Sequence, residues 1–290
     1  MISVVLPALN KVGRVVRLLV AAGLVLALGG FTPLESLLAP KSEPWPRWTA
    51  HDPASTATIA HDAWDDLLKK YLRPASDGIN RFAYGRVNGP DRKTLDVYIA
   101  ELSDVAIGRY RRPAQRAYWI NLYNALTVRV VLDHYPVATI RDIDISPGFF
   151  SSGPWGRKLV TVEGEALSLN DIEHRILRPI WRDPRIHYGV NCAALGCPNL
   201  AAKAFTAANT EAMLDAAARA YVNHRRGVHV ENGLLTVSKI YAWYAEDFGG
   251  DAGSVIAHLR RYAAPALAAD LERAGGIDGY AYDWSLNGAR

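Results

Sequence analysis

Between His61 and Leu72 the apolar residues Ala63, Trp64, Leu67, Leu68, Tyr71 and Leu72 recur at helical spacing, which predicts an amphipathic helix. Asp77-Gly78 then marks a turn and Arg81–Tyr84 reads as a short extended piece. Asp91 to Val105 carries a second amphipathic pattern behind Pro90, a residue suited to a first helical turn. A longer helix is predicted from Ala114 to about His134, opened by Pro113 and closed ahead of Pro136. Trp119, Leu122, Tyr123, Leu126 and Val130 share one side of it, so it should be central to the core.

The second half of the chain alternates hairpin and helix signals. Lys158–Val162 and Ala166–Leu169 flank a turn at Glu163-Gly164-Glu165. Ser168 and Asp171 fit a capping box for a helix running to about Leu177. Arg185–Val190 reads as a short buried strand, which would place His187 and Gly189 on one face. Thr210 to His224 is Ala-rich and helical, and Val228–Glu231 and Leu234–Val237 pair across Asn232-Gly233. Ser238 caps a helix through Phe248, stopped by Gly249-Gly250. Ser254–Ala263 forms another helix, and a tail strand is expected near Tyr280–Tyr282. No regular βαβ alternation and no internal repeat occurs. The pattern predicts an α+β fold: a single domain with a central helix and several helices packed on short antiparallel strands and hairpins.

Ahead of the domain, Lys11, Arg14 and Arg17 precede an apolar run from Leu18 to Phe31. That layout predicts a signal peptide, or an N-terminal membrane anchor if uncleaved, over residues 1–31. Ala27-Leu28-Gly29 offers small residues for cleavage. Residues 32–58, with Pro33, Pro40, Pro44 and Pro46, read as a Pro-rich linker, and 59–290 as the domain. The expected location is the periplasm, free or membrane-anchored. The net charge of +4 changes little, because the leader carries three basic residues and no acid. The remainder holds 30 basic and 29 acidic residues, without the basic field of a nucleic-acid-binding domain.

Familiar nucleotide-binding, zinc-protease and serine-hydrolase signatures are missing, and no cofactor is implied. The densest chemistry lies in DPRIHYGVNCAALGCPNL, residues 183–200, which holds both cysteines of the chain. Three readings fit. Cys192 is a nucleophile, with His187 or His174 as its base and Asn191 stabilising an oxyanion. Alternatively, Cys192 and Cys197 form a disulfide, in keeping with an oxidising compartment. Or His174, His187, Cys192 and Cys197 bind zinc, with Glu173 in reserve. On the central helix, Asn121 and Asn124 lie near one face and require hydrogen bonds if buried, either to a loop or to a ligand. Tyr241, Trp243 and Tyr244 beside Lys239 and Glu246-Asp247 form an aromatic–polar cluster of core and rim.

Four long blocks, AYWINLYNALTVRVVLDHYP, PWGRKLVTVEGEALSLNDIEHRILRP, DPRIHYGVNCAALGCPNL and LTVSKIYAWYAEDFGG, resemble in order the family called domain of unknown function 547, and YDWSLN at 282–287 is also similar. The resemblance spans roughly residues 61–287. It implies a single mixed domain, often exported in bacteria, with no established activity. It adds weight to Trp119, Asn121, Tyr123, Asn124, Glu173, His174, His187, Asn191, Cys192, Cys197 and Pro198. Tyr188-Gly189 departs from a usual Phe-Ala, and Asn199 from a usual second proline. A distant likeness to papain- and transglutaminase-like folds stops at the central helix, which offers Asn121 instead of Cys. The expected function is a thiol-dependent hydrolase or acyltransferase-like enzyme, with Cys192, His187, His174, Asn191 and Asn121 in catalysis. Trp119, Tyr123, Asn124, Glu173 and Cys197 would bind substrate. The alternative is a non-catalytic envelope-assembly module with a Cys192–Cys197 disulfide. It would bind a small molecule, peptide or glycan, but no nucleic acid.

Overall fold

A computed structural model describes residues 39–148 and 152–289, so the expected leader and its cleavage residues lie outside the described residues. Helix α1 (Asp62–Tyr71) buries Trp64, Leu67, Leu68 and Tyr71, the stripe that its spacing sets. A two-stranded sheet follows, β1 (Leu72–Pro74) and β2 (Asn80–Phe82). Helix α2 (Gly89–Ser103) begins at Asn88, whose side chain accepts from the Asp91 N–H, with Pro90 in the first turn. Helix α3 (Arg112–His134) is the centre of the molecule. It is buried from Ala114 to Val128 without a break, and again at Val130, Val131 and Leu132. One apolar stripe cannot describe such a helix, because neighbours cover it on all sides.

The hairpin β3 (Val160–Val162) and β4 (Glu165–Leu167) turns at Glu163 and Gly164, both with positive φ, as a tight two-residue turn requires. Ser168 and Asp171 form the expected reciprocal cap: each backbone N–H is accepted by the other's side chain, at 2.8 and 3.1 Å. The helix they open is wider than an α-helix. Over Asp171–Leu177 it is a π-helix, and the Arg178 N–H reaches back five residues to the Glu173 carbonyl. It continues into α4 (Arg178–Trp181).

The strand expected at Arg185–Val190 is instead a short helix, α5 (Ile186–Gly189). Asp183-Pro184 leads into it: the Asp183 carboxylate accepts from the Arg185 N–H, and the Pro184 carbonyl accepts from the His187 N–H in the turn just ahead of the helix. His187 and Gly189 therefore do not share a strand face. Helix α6 (Thr210–Val222) leads to the hairpin β5 (Val228–Glu231) and β6 (Leu234–Ser238), closed by Asn232-Gly233 with positive φ at both positions. Strand β7 (Gly279–Ala281) adds to β6 in parallel. The helix expected through Phe248 is broken at Tyr244, into α7 (Ile240–Trp243) and a 3₁₀ turn over Ala245–Phe248. Gly249 and Gly250 end it with positive φ. Two helices close this region, α8 (Ala252–Tyr262), capped by Asp251, and α9 (Pro265–Arg273).

The protein is thus α+β, with small separate sheets set among helices. A large core surrounds α3 and a smaller one joins α6, α8, α9 and the β5–β7 sheet. No helix among the described residues is long and apolar enough to cross a membrane. The described part of the Pro-rich stretch lies against the domain. The backbone N–H groups of Glu43 and Trp45 donate to the His174 and Arg175 carbonyls, and Trp48 packs edge-on to Trp119.

Candidate functional site

Where the π-helix, α5, α7 and the chain end meet, a cavity of about 530 Å³ opens. Glu173, His174, His187, Cys192, Cys197, Pro198 and Tyr123 line it together with Trp243 and Tyr244, so residues singled out far apart in the sequence come together. The π-helix explains how Glu173 and His174, adjacent in sequence, both reach this cavity. Widening of a helical turn changes the angle between successive side chains, a device common at functional sites.

Glu173 is 6% exposed. Its carboxylate lies 3.5 Å from His187 Nδ1 and 4.0 Å from His174 Nε2. The other nitrogen of His187, Nε2, is 2.7 Å from Asp247 Oδ2, which also accepts from Arg178 Nε at 2.5 Å. Burial alone would lower the His187 pKa, but hydrogen bonds to Asp247 and Glu173 outweigh it and leave the pKa raised. Its ring stacks on Tyr244, centroids 4.4 Å apart. His174 is the opposite case: burial drives its pKa down to about 4. An Arg178 N–H donates to His174 Nδ1 at 3.1 Å, so the neutral ring carries its proton on Nε2 and offers it as a donor. Burial would raise Glu173 and Asp247, yet the surrounding imidazoles and the Arg178 guanidinium hold each at about 2. The site therefore presents an ionised carboxylate beside a neutral imidazole N–H.

Aromatic rings form the walls. Trp284 lies 4.7 Å from Tyr282, 5.6 Å from Trp243 and 5.8 Å from Trp155, centroid to centroid. All four rings are half-buried, with faces or edges left to the cavity. Arg141 covers Trp284 at the rim.

Cys192 and Cys197 are joined in a disulfide, with Cα atoms 6.2 Å apart. Neither histidine hydrogen-bonds a sulfur, because Glu173, Asp247 and Arg178 engage their nitrogens. The hydroxyl of Tyr282 contacts both sulfurs instead, at 3.0 and 3.2 Å. The disulfide occupies both sulfurs that the zinc reading of His174, His187, Cys192 and Cys197 needs as thiolate ligands.

Residues 107–222 match the family described as Protein of unknown function, DUF547. Those residues belong to the DUF547 family. No curated protein and no solved structure gives a significant match. The DUF547 segment carries Glu173, His174, His187 and both cysteines, whereas Asp247, Trp243, Tyr244, Tyr282 and Trp284 come from beyond it.

Asn121, Asn124, Asn191 and Trp119 of the DUF547 segment lie outside the cavity lining. Asn121 accepts from the Phe205 N–H and donates to the Phe205 carbonyl, at 3.0 and 2.8 Å. Asn124 does the same between the Asn191 N–H and the Gly189 carbonyl. Asn191 donates to the Pro198 carbonyl at 2.7 Å and accepts from Ala193 and Asn287. Trp119 is 1% exposed, packed between Trp48 and Tyr118. These four hold loops and core. Arg178, Tyr282 and Trp284 were not anticipated as site residues. The alternation of Tyr280, Tyr282 and Trp284, every second residue, is the sequence signal that could have found the last two.

Proposed function

We propose that the protein is a glycan-binding module of the cell envelope, working in an oxidising, extracytoplasmic compartment to which the basic–apolar leader directs it. The observation that carries this reading is the ionised Glu173 set inside walls of Trp155, Trp243, Tyr282 and Trp284. Sugar rings offer C–H faces that lie against aromatic rings and hydroxyls that donate to an acceptor. A carboxylate can only accept, so Glu173 calls for such donors, while His174 Nε2–H serves a ligand oxygen. The closed Cys192–Cys197 bond supports the reading from two sides. It suits an oxidising compartment, and it leaves no thiolate for the attack a thiol-dependent hydrolase requires. Tyr123 belongs to the floor, and the disulfide forms part of the wall.

The test is a glycan array followed by calorimetry on the sugars retained, using the intact protein, Glu173→Gln and Trp243→Ala. Each substitution should weaken binding at least ~10-fold, equivalent to about 1.4 kcal/mol. A protein that retains no glycan, or sugars bound equally by all three forms, would overturn the reading.

A further inference from the structure

The disulfide sits in an unusual place for a staple. Both cysteines line the cavity, Cys192 half-buried and Cys197 4% exposed. The loop they close is also held without them. Asn191 donates to the Pro198 carbonyl at 2.7 Å, bridging the two ends of the loop from outside. Its middle is pinned to the chain end, where the Leu195 and Gly196 N–H groups donate to the Ser285 and Asp283 carbonyls at 2.8 and 2.7 Å. A side chain at Gly196 would collide with the Asp283 backbone, so this close approach requires glycine.

The surroundings of the two sulfurs are unequal. Cys197 Sγ accepts from the Cys192 N–H at 3.0 Å, and the single proton of the Tyr282 hydroxyl is shared between it at 3.2 Å and Cys192 Sγ at 3.0 Å. Hydrogen bonds to a sulfur favour its thiolate and make it the better leaving group. Cys192 is the more exposed residue of the pair, and its sulfur shares the Tyr282 hydroxyl but not the backbone donor. Access selects Cys192 as the sulfur attacked, and hydrogen bonding selects Cys197 as the sulfur expelled.

We propose that the Cys192–Cys197 bond is a thiol-exchange site that takes up a thiol as a mixed disulfide on Cys192. The incoming thiolate attacks Cys192 Sγ and forms a new S–S bond. The Cys192–Cys197 bond breaks and its electron pair goes to Cys197, which takes the proton the incoming thiol gave up. One thiol is consumed and one appears, so no separate oxidant or reductant enters. Return attack by Cys197 expels the guest and restores the original bond. The chemical class accepted is an aliphatic thiol, free or as a cysteine in a peptide. This proposal goes beyond glycan binding and does not depend on it.

Free cysteine and a short cysteine-containing peptide are the two probes, added separately to the folded, oxidised chain. Acid quenching, intact mass and peptide mapping then locate the adduct. The expected result is one adduct per chain, on Cys192, reversed when the probe is removed. Adduct with cysteine alone assigns a free thiol as guest, and adduct with the peptide alone assigns a peptide thiol. Tyr282→Phe should slow exchange roughly 10-fold through the lost thiolate stabilisation. Cys197→Ser offered the oxidised form of the probe should trap the adduct permanently. Wild-type mapping stands by itself should that variant fail to fold. An adduct on Cys197, a bond that opens only in denaturant, or an unchanged rate in Tyr282→Phe would overturn the proposal.

Discussion

Two polar clusters lie within one fold and are used in opposite ways. The amide cluster of Asn121, Asn124, Asn191 and Asn287 is neutral, buried and closed on itself: its side chains bind backbone groups of Phe205, Gly189, Asn191, Ala193 and Pro198, and one another. The cluster of Glu173, His174, His187 and Asp247 is charged and opens on a cavity, where Glu173 has its imidazole partners at 3.5 and 4.0 Å. A polar group whose capacity is spent inside the protein is scaffold. One that keeps capacity facing a cavity is available to a ligand.

Acidification should have the largest effect, on the charged cluster through His174 and on two further buried histidines outside both clusters, His61 and His258. His61, His174 and His258 are each lowered to about 4, chiefly by burial, whereas an unfolded chain protonates them near 6.5. Stability should fall as pH drops from 6.5 to 4, by up to about 1.4 kcal/mol per pH unit for each such histidine. His187, raised, has the opposite sign: its contribution is present below 6.5 and is lost as pH rises through its folded value. Glu173 and Asp247 add their losses only between about 4 and about 2. Denaturant midpoints at successive pH values check this, and His258→Gln should flatten the slope. A profile level from pH 7 to 4 would contradict the assignment. The amides do not titrate, so the next effect is one of substitution. Asn124→Ala leaves the Gly189 carbonyl and the Asn191 N–H unpaired and should cost about 3 kcal/mol in urea unfolding. The smallest stability effect is expected for Glu173→Gln, within about 1 kcal/mol, because His187 keeps Asp247. A larger loss there, or a smaller one for Asn124→Ala, would erase the distinction.

The local elements were legible because their signals are local. The spacing in α1, the Ser168/Asp171 cap, Asn232-Gly233 and the prolines around α3 each act within a few residues. Arg185–Val190 misled because an apolar run of that length fits a strand or a buried helix equally, and only Asp183-Pro184 separates them. The π-helix has no spacing of its own to read, and α9 was missed despite Pro265 at its start. At the site, the spread from Tyr123 to Glu173, His187 and Cys192 was gathered from residue type. Arg178 and Asp247 act through a contact 69 positions long, which nothing in a local pattern reveals.

The attachment of Glu43 and Trp45 to the π-helix has a mechanical side. Pro40 also accepts from Arg178, and both Ala39 and Pro40 border the cavity. Tension on the chain ahead of residue 39 would therefore be delivered first to the His174 and Arg175 carbonyls and to the Arg178 side chain that holds His174 and Asp247. Residues 39–45 and the cavity share one anchorage, so a displacement of the first is felt as a change of shape in the second.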